Sequence, residues 1–191
     1  MGLREEIADR IRASGPISFA EFMDISLYHP ELGYYARAAQ KTGRAGDFFT
    51  SVDVGPIFGE LLAKQFGEMF RLVWPRAESQ EPRAFDLVEA GAGSGRLARD
   101  VLDSAHKHDP EFYAAIRLSL VEQSPSARAA QLETLGPHAA LVAHSGSALP
   151  EDIHGVIYAN ELLDALPTHA VVMTDAGLRE VFIDFVEDRF V

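Results

Sequence analysis

Residues 86–95 read Asp-Leu-Val-Glu-Ala-Gly-Ala-Gly-Ser-Gly. Asp86 to Ala90 has the make-up of a short buried strand carrying an acid, Glu89, near its end. Gly91, Gly93 and Gly95 then make a turn that enters the helical pattern Arg96-Leu97-Ala98-Arg99-Asp100-Val101-Leu102. Glycine has no Cβ and tolerates positive φ, so a turn of this kind lets a ligand approach the backbone closely. The helix start beyond it offers N–H groups without intrahelical partners.

Two further groups of polar residues stand at strand ends. The alternating stretch Ile116-Arg117-Leu118-Ser119-Leu120-Val121 leads to Glu122. An ionised carboxylate there is acceptor-only and can take both hydroxyls of a ribose. Read alone, Glu122 is equally a cap on an exposed strand end. The apolar strand Gly155-Val156-Ile157-Tyr158-Ala159 leads to Asn160-Glu161-Leu162-Leu163-Asp164-Ala165-Leu166-Pro167. Asn160 can orient a substrate through its amide, and Glu161 or Asp164 can accept N–H groups. The competing reading is an N-capped helix with acids in its first turn. We prefer that reading for Asp164, and a functional one for Asn160 and Glu161 at the strand tip.

Two cofactors use such a glycine turn. The dinucleotide fingerprint is Gly-x-Gly-x-x-Gly. Counted from Gly91 its third glycine falls on Arg96, and counted from Gly93 on Ala98, so NAD is weakened and stays open as an alternative. The pattern present, Glu89-x-Gly91-x-Gly93-x-Gly95, resembles the first motif of class I S-adenosylmethionine-dependent methyltransferases. That resemblance implies S-adenosylmethionine as cofactor, its amino-acid end at the glycine turn and its ribose at Glu122. Both cofactors want the acid at position 122, so Glu122 does not discriminate.

The elements that must position these residues follow from periodicity and punctuation. Leu3, Ile7 and Ile11 predict a short amphipathic helix over 1–13, broken by Gly15-Pro16. Ser18 and Glu21 form a capping box for a helix to about Leu27. Tyr28 to Tyr35 is an aromatic, turn-rich segment, read as a packed loop or a pocket wall. A Gly-rich polar stretch over 43–55 precedes a long helix opened by Pro56. Its apolar stripe, Ile57, Phe58, Leu61, Leu62, Phe66, Met69, Phe70 and Val73, is core spacing. Trp74-Pro75 ends it, and the charged stretch 76–82 reads as a linker. From residue 84 strands are predicted at 84–90, 116–122, 139–143 and 154–159. Helices are predicted at about 95–107 and 125–135, the latter with Ser124 as cap and Gly136 as stop. This rhythm implies a parallel sheet covered by helices, with ligands at the carboxyl ends of the strands. Glu89, Glu122, Ser147 and Asn160 fall at or just beyond those ends. Alternation over 168–173 and 179–186 about Thr174–Gly177 predicts a β-hairpin. The expected division is a helical extension, 1–82, and a Rossmann-like domain, 83–191.

Composition narrows the classes. The chain has 191 residues, 47% hydrophobic, enough for one core and a small appendage. A formal charge of −12 argues against a general nucleic-acid surface, which needs clustered Lys and Arg. There is no cysteine, and no histidine spacing suggests a zinc site. No apolar run reaches the ~18–20 residues of a membrane span. The N-terminus alternates acids and bases, unlike a signal or transit peptide, so a cytoplasmic bacterial protein is the expectation.

Taken in order, Gly46-Asp47-Phe48-Phe49-Thr50-Ser51, Phe58-Gly59-Glu60, the glycine turn and Asn160 to Pro167 resemble the mitochondrial complex I assembly methyltransferases and their bacterial homologues, the MidA family. Departures are Val52-Asp53 in place of Pro-Glu, Ala92 in place of Pro, and Ser94 in place of Arg or Gly. The resemblance covers nearly the whole chain and implies several things. The fold is a class I methyltransferase α/β fold with an N-terminal helical extension. The reaction is methylation of a protein arginine, associated in the mitochondrial branch with respiratory-complex assembly. Thr50 and Ser51 would line the cofactor pocket, Glu161 would hold and deprotonate the guanidinium, and Asp47 and Glu60 would be weaker candidates for that role. Family members are longer, and a seven-stranded sheet needs strands beyond Val191, so the chain is expected to correspond to their N-terminal half. A non-catalytic assembly factor keeping the cofactor fold is the other alternative.

Overall fold

The computed structural model describes residues 2–38, 55–73 and 84–191. Backbone proximity divides the chain into two units, Met1–Gly46 with Leu163–Val191, and Asp47–Leu162.

The first unit begins with α1 (Leu3–Ser14), where Glu5 accepts the Gly2 N–H at 3.0 Å and Ile7 and Ile11 are buried as their spacing requires. After β1 (Ile17–Ser18), the Ser18 hydroxyl accepts the Glu21 N–H at 3.1 Å and caps α2 (Phe19–Tyr28). The aromatic segment turns into α3 (Tyr34–Ala38).

The second unit runs through α4 (Ile57–Val73), β2 (Phe85–Ala90), α5 (Arg96–His108), α6 (Pro110–Ala115), β3 (Ile116–Val121), α7 (Pro125–Leu135), β4 (Val142–Gly146) and β5 (Gly155–Ala159). The four strands form one parallel sheet in the order β4-β3-β2-β5. The chain steps outward from β2 to β3 and β4, then returns to pair β5 with the other side of β2. The carboxyl end of β2 is therefore a topological switch point, where open sheets of this kind bind ligands. β2 reads as a nearly unbroken buried run, as a parallel strand covered on both faces must. The Phe70, Phe85 and Phe112 rings meet with centroids 5.7–5.8 Å apart and join α4, β2 and α6 in the core. The buried Asp86 is bound by Arg117 at 2.5 and 2.9 Å and by the His154 N–H at 2.8 Å. Burial alone would push its carboxyl up; Arg117 and the His154 N–H outweigh burial and hold it below the usual carboxylate range.

Helix α4 packs on α5 at very close range. A Cβ on Gly59 would lie 2.5 Å from the Asp100 Cβ and 2.9 Å from its carbonyl carbon. That closeness groups α4 with the sheet, whereas the composition break at 76–82 suggested a boundary after it.

Two elements of the second unit differ from expectation. The strand expected at 139–143 starts only at Val142, because Gly136–Leu141 form a 3-10 helix. Pro137 begins that turn, and the His138 ring fixes it, meeting the Tyr113 hydroxyl at 2.8 Å and the Asp103 carboxylate at 2.9 Å. Helix α6 was not anticipated. Its signal was Asp109-Pro110, with the Asp109 carboxylate accepting the Phe112 N–H at 3.3 Å and proline in the first turn.

The end of the chain returns to the first unit. The predicted hairpin is present as β6 (Val171–Thr174) and β7 (Gly177–Glu180). Its second arm is shorter than expected. The chain leaves it to form β8 (Phe182–Ile183), which pairs antiparallel with β1 through Ile17 and Ile183. A small turn of β9 (Phe185–Val186) and β10 (Arg189–Phe190) follows. Phe22, Ile183, Phe185 and Phe190 close over Ile7, Ile11 and Ile17. Among the described residues no helix is long and apolar enough to cross a membrane.

Candidate cofactor site at the switch point

The carboxyl ends of three strands are fastened side by side. The Gly91 and Ala92 N–H groups both donate to the Val121 carbonyl, at 2.9 and 3.0 Å, and the Glu122 N–H donates to the Gly146 carbonyl at 2.8 Å. The glycine turn therefore starts as an extension of the β2–β3 pairing.

Gly91 has φ +72° and Gly93 φ +52°, values that side-chain-bearing residues rarely adopt. The two differ in what lies over them. A Cβ on Gly91 would come 2.9 Å from the Leu162 side chain, whereas a Cβ on Gly93 would meet nothing within 4 Å. Gly91 is itself exposed, but Leu162 occupies its Cβ direction, whereas the Cβ direction of the half-buried Gly93 is clear. Gly95 caps α5 and donates its N–H to the Ala92 carbonyl at 2.8 Å.

Side chains from two elements hold Gly93. Glu122, half-buried, accepts the Gly93 N–H on Oε2 at 2.8 Å and the Ser124 N–H on Oε1 at 2.8 Å. Gln131 of α7 donates through Nε2 to the Gly93 carbonyl at 3.0 Å, and its Oε1 accepts the Ser145 hydroxyl of β4 at 2.7 Å. Reading the sequence for site residues missed Gln131. Its one signal was a polar residue four places before Leu135 on the buried face of α7.

Glu89 lies beneath the turn and not on its open side. It is 4% exposed, accepts the Tyr158 hydroxyl at 3.2 Å and is hydrogen-bonded to the Ala98 backbone in the first turn of α5. Burial pushes its carboxyl up to about 8; the Tyr158 and Ala98 bonds pull it down and the Glu122 charge raises it. The Tyr158 hydroxyl, on a half-buried ring, is itself pushed up, by desolvation and by Glu89.

The loop after β5 reverses sharply. Glu161 is exposed and has φ +50°, a conformation that costs a non-glycine residue about 1 kcal/mol or more. The reversal brings Leu162 onto Gly91, so the Asn160-Glu161 segment is anchored to the glycine turn. Asn160 is half-buried at the tip of β5. Ser147 follows β4, and its carbonyl accepts Gln123 Nε2 at 2.8 Å, tying the loops after β3 and β4. Asp164 sits in the single 3-10 turn Leu163–Ala165, in the first unit, in place of a longer capped helix. Glu60 is exposed in the first turn of α4. Thr50, Ser51 and Asp47 lie outside the described residues. Among the described residues no group of His, Asp and Glu side chains could hold a metal ion.

A parallel sheet with a glycine turn and a strand-tip carboxylate at its switch point defines the class of Rossmann-like cofactor-binding proteins. Residues 61–191 match the model of a family described as "Putative S-adenosyl-L-methionine-dependent methyltransferase", and the chain belongs to that family. It is 32% identical, over 95% of its length and 44% of the relative's, to the Drosophila melanogaster protein arginine methyltransferase NDUFAF7 homolog, mitochondrial. To the human mitochondrial protein arginine methyltransferase NDUFAF7 it is 33% identical over 92% of its length and 43% of the relative's. A COG1565 superfamily member from Burkholderia thailandensis, solved bound to S-adenosyl-homocysteine, superposes with a TM-score of 0.77 at 30% identity. That match covers 99% of this chain and 48% of the other. The chain spans less than half the length of the curated relatives it matches.

Proposed function

We propose that this chain carries the cofactor-binding part of an S-adenosylmethionine-dependent methyltransferase whose acceptor is a protein arginine. The observation that carries the reading is the clamped Gly93. Its open side leaves room for a ligand, and Glu122 beside it spends one acceptor position per oxygen on backbone N–H groups. A carboxylate has about four such positions, so two stay available for ribose hydroxyls. These residues fit the cofactor: Gly91, Gly93 and Gly95 would shape the turn against its amino-acid end, and Glu122 would hold the ribose. Glu89 would act from beneath, organising the helix start. Ser147 borders the same edge, and Thr50 and Ser51 are further candidates.

The bound cofactor supplies an electrophilic methyl group on a sulfonium. The protein's part is alignment, which can lower a barrier by about 7–11 kcal/mol. An arginine acceptor stays protonated in water, so a carboxylate must hold the guanidinium and take a proton as the methyl arrives. Glu161 is the proposed group, with Asn160 orienting the acceptor. The NDUFAF7 relatives, named as protein arginine methyltransferases, support this acceptor. A role in respiratory-complex assembly belongs to the same proposal.

Calorimetric titration of S-adenosylmethionine and NAD into the folded protein tests the cofactor. We expect micromolar binding of the first alone, abolished by Gly93→Val, which fills the open side. Binding of NAD in its place would overturn the reading. A folded protein that binds neither would turn it toward a non-catalytic assembly factor.

A further inference from the structure

Gln131 is 1% exposed, a buried amide on the same face of α7 as the buried Leu135. Burying an amide there is unfavourable unless its groups are bonded. Its amide is bonded at both ends, to the glycine turn and to β4. The Gly93 carbonyl can only accept, so Nε2 faces it and Oε1 takes the Ser145 hydroxyl. The opposite orientation of the amide would set two carbonyl oxygens against each other. The Gln131 stem also lies 3.8 Å from where a Gly95 Cβ would stand. One residue of α7 thus binds the turn at Gly93 and links it to β4.

We propose that Gln131 is a positioning residue for the cofactor, an inference that rests on the cofactor reading above. Glu122 holds Gly93 by its N–H and Gln131 holds it by its carbonyl, so the residue is pinned from both sides in its left-handed conformation. The open side then faces the ligand without reorganising on binding, and the ribose carboxylate and the turn keep a fixed spacing. A turn lacking the Gln131 bond has a free carbonyl beside a glycine with many accessible conformations, and binding would have to order it.

The test compares Gln131→Met, which keeps the volume and removes both bonds, with Ser145→Ala, which removes only the hydroxyl that holds the Oε1 end of the amide. S-adenosyl-homocysteine is titrated calorimetrically, and amide hydrogen exchange is read at Gly93 and, as control, at Leu87 in the middle of β2. Gln131→Met should weaken binding at least tenfold and speed Gly93 exchange at least tenfold, with Leu87 protection kept. Ser145→Ala should shift both in the same direction by about threefold. A purely structural role would lower protection at Leu87 and Gly93 together, and that result overturns the proposal. So does unchanged Gly93 exchange, or affinity within twofold of the wild type. If the wild type binds no S-adenosyl-homocysteine, the cofactor reading fails, and Gly93 exchange alone decides whether Gln131 pins the turn. Should Gln131→Met fail to fold, the Ser145→Ala shifts carry the decision.

Discussion

Glu89 stands near the carboxyl end of β2, and its side chain is buried. Its carboxyl is buried under the glycine turn, and its folded pKa is raised to about 8 from 4.5. The folded state therefore holds a proton that the unfolded chain releases. This contribution to stability is fully present below about pH 4.5 and is lost as pH rises toward about 8, at up to about 1.4 kcal/mol per pH unit. Urea denaturation at pH 6 and pH 7.5 should show the wild type losing about 2 kcal/mol more than Glu89→Gln over that interval. Parallel profiles for the two proteins would show that Glu89 is not proton-bearing. Gly91 is constrained differently, by positive φ and by Leu162. Gly91→Ala should destabilise the fold by about 1–3 kcal/mol, and adding Leu162→Ala should recover only the steric part, because the backbone strain stays. Full recovery in thermal melts would remove the strain argument. At Glu161 the expectation is chemical: Glu161→Gln should keep cofactor affinity and lose at least tenfold in methyl transfer to an arginine-bearing protein. Full transfer by that variant would exclude Glu161.

Among the elements, the α4–α5 contact explains why Phe58-Gly59-Glu60 contains a glycine. There is no room for a Cβ between Gly59 and the Asp100 backbone. Gly67, two turns on, would set its Cβ against the Asp109 carboxylate, the end of a side chain that can shift. Gly59→Ala should therefore cost about 1–3 kcal/mol through overpacking, while Gly67→Ala should lie near zero, its contact offset by a helix-propensity gain of about 1 kcal/mol. Equal effects in denaturant titrations would contradict the close approach. The sequence placed α5 and α7 almost to the residue, because Ser124, Pro125 and Gly136 are local signals with local causes. It misplaced the start of β4 because the 3-10 turn before it depends on His138 finding Tyr113 and Asp103, 25 and 35 residues away.

Across the whole molecule, the first unit is built from both ends of the chain. α1 and β1 bury their isoleucines against Ile183, Phe185 and Phe190, which arrive more than 160 residues later in sequence. A chain ending at Leu162 should lose amide protection throughout α1, since a helix of 12 residues is marginal without tertiary cover. Protection at the wild-type level in that shortened chain, read by hydrogen exchange, would show that α1 is held by other contacts.

The sequence by itself determined the glycine turn, the acids at the strand tips, the parallel α/β class and the hairpin, because each rests on near-neighbour spacing and backbone preference. From Glu89 to Gly95 and on to Glu122, the candidate site was legible on that basis. Only the tertiary structure decided which face each group presents. It buried Glu89, set Leu162 in the Cβ direction of Gly91 and left that of Gly93 clear. It also brought Gln131 to the Gly93 carbonyl and joined the two ends of the chain. Those outcomes depend on contacts between residues dozens to more than a hundred positions apart, and no local pattern encodes the geometry of such contacts.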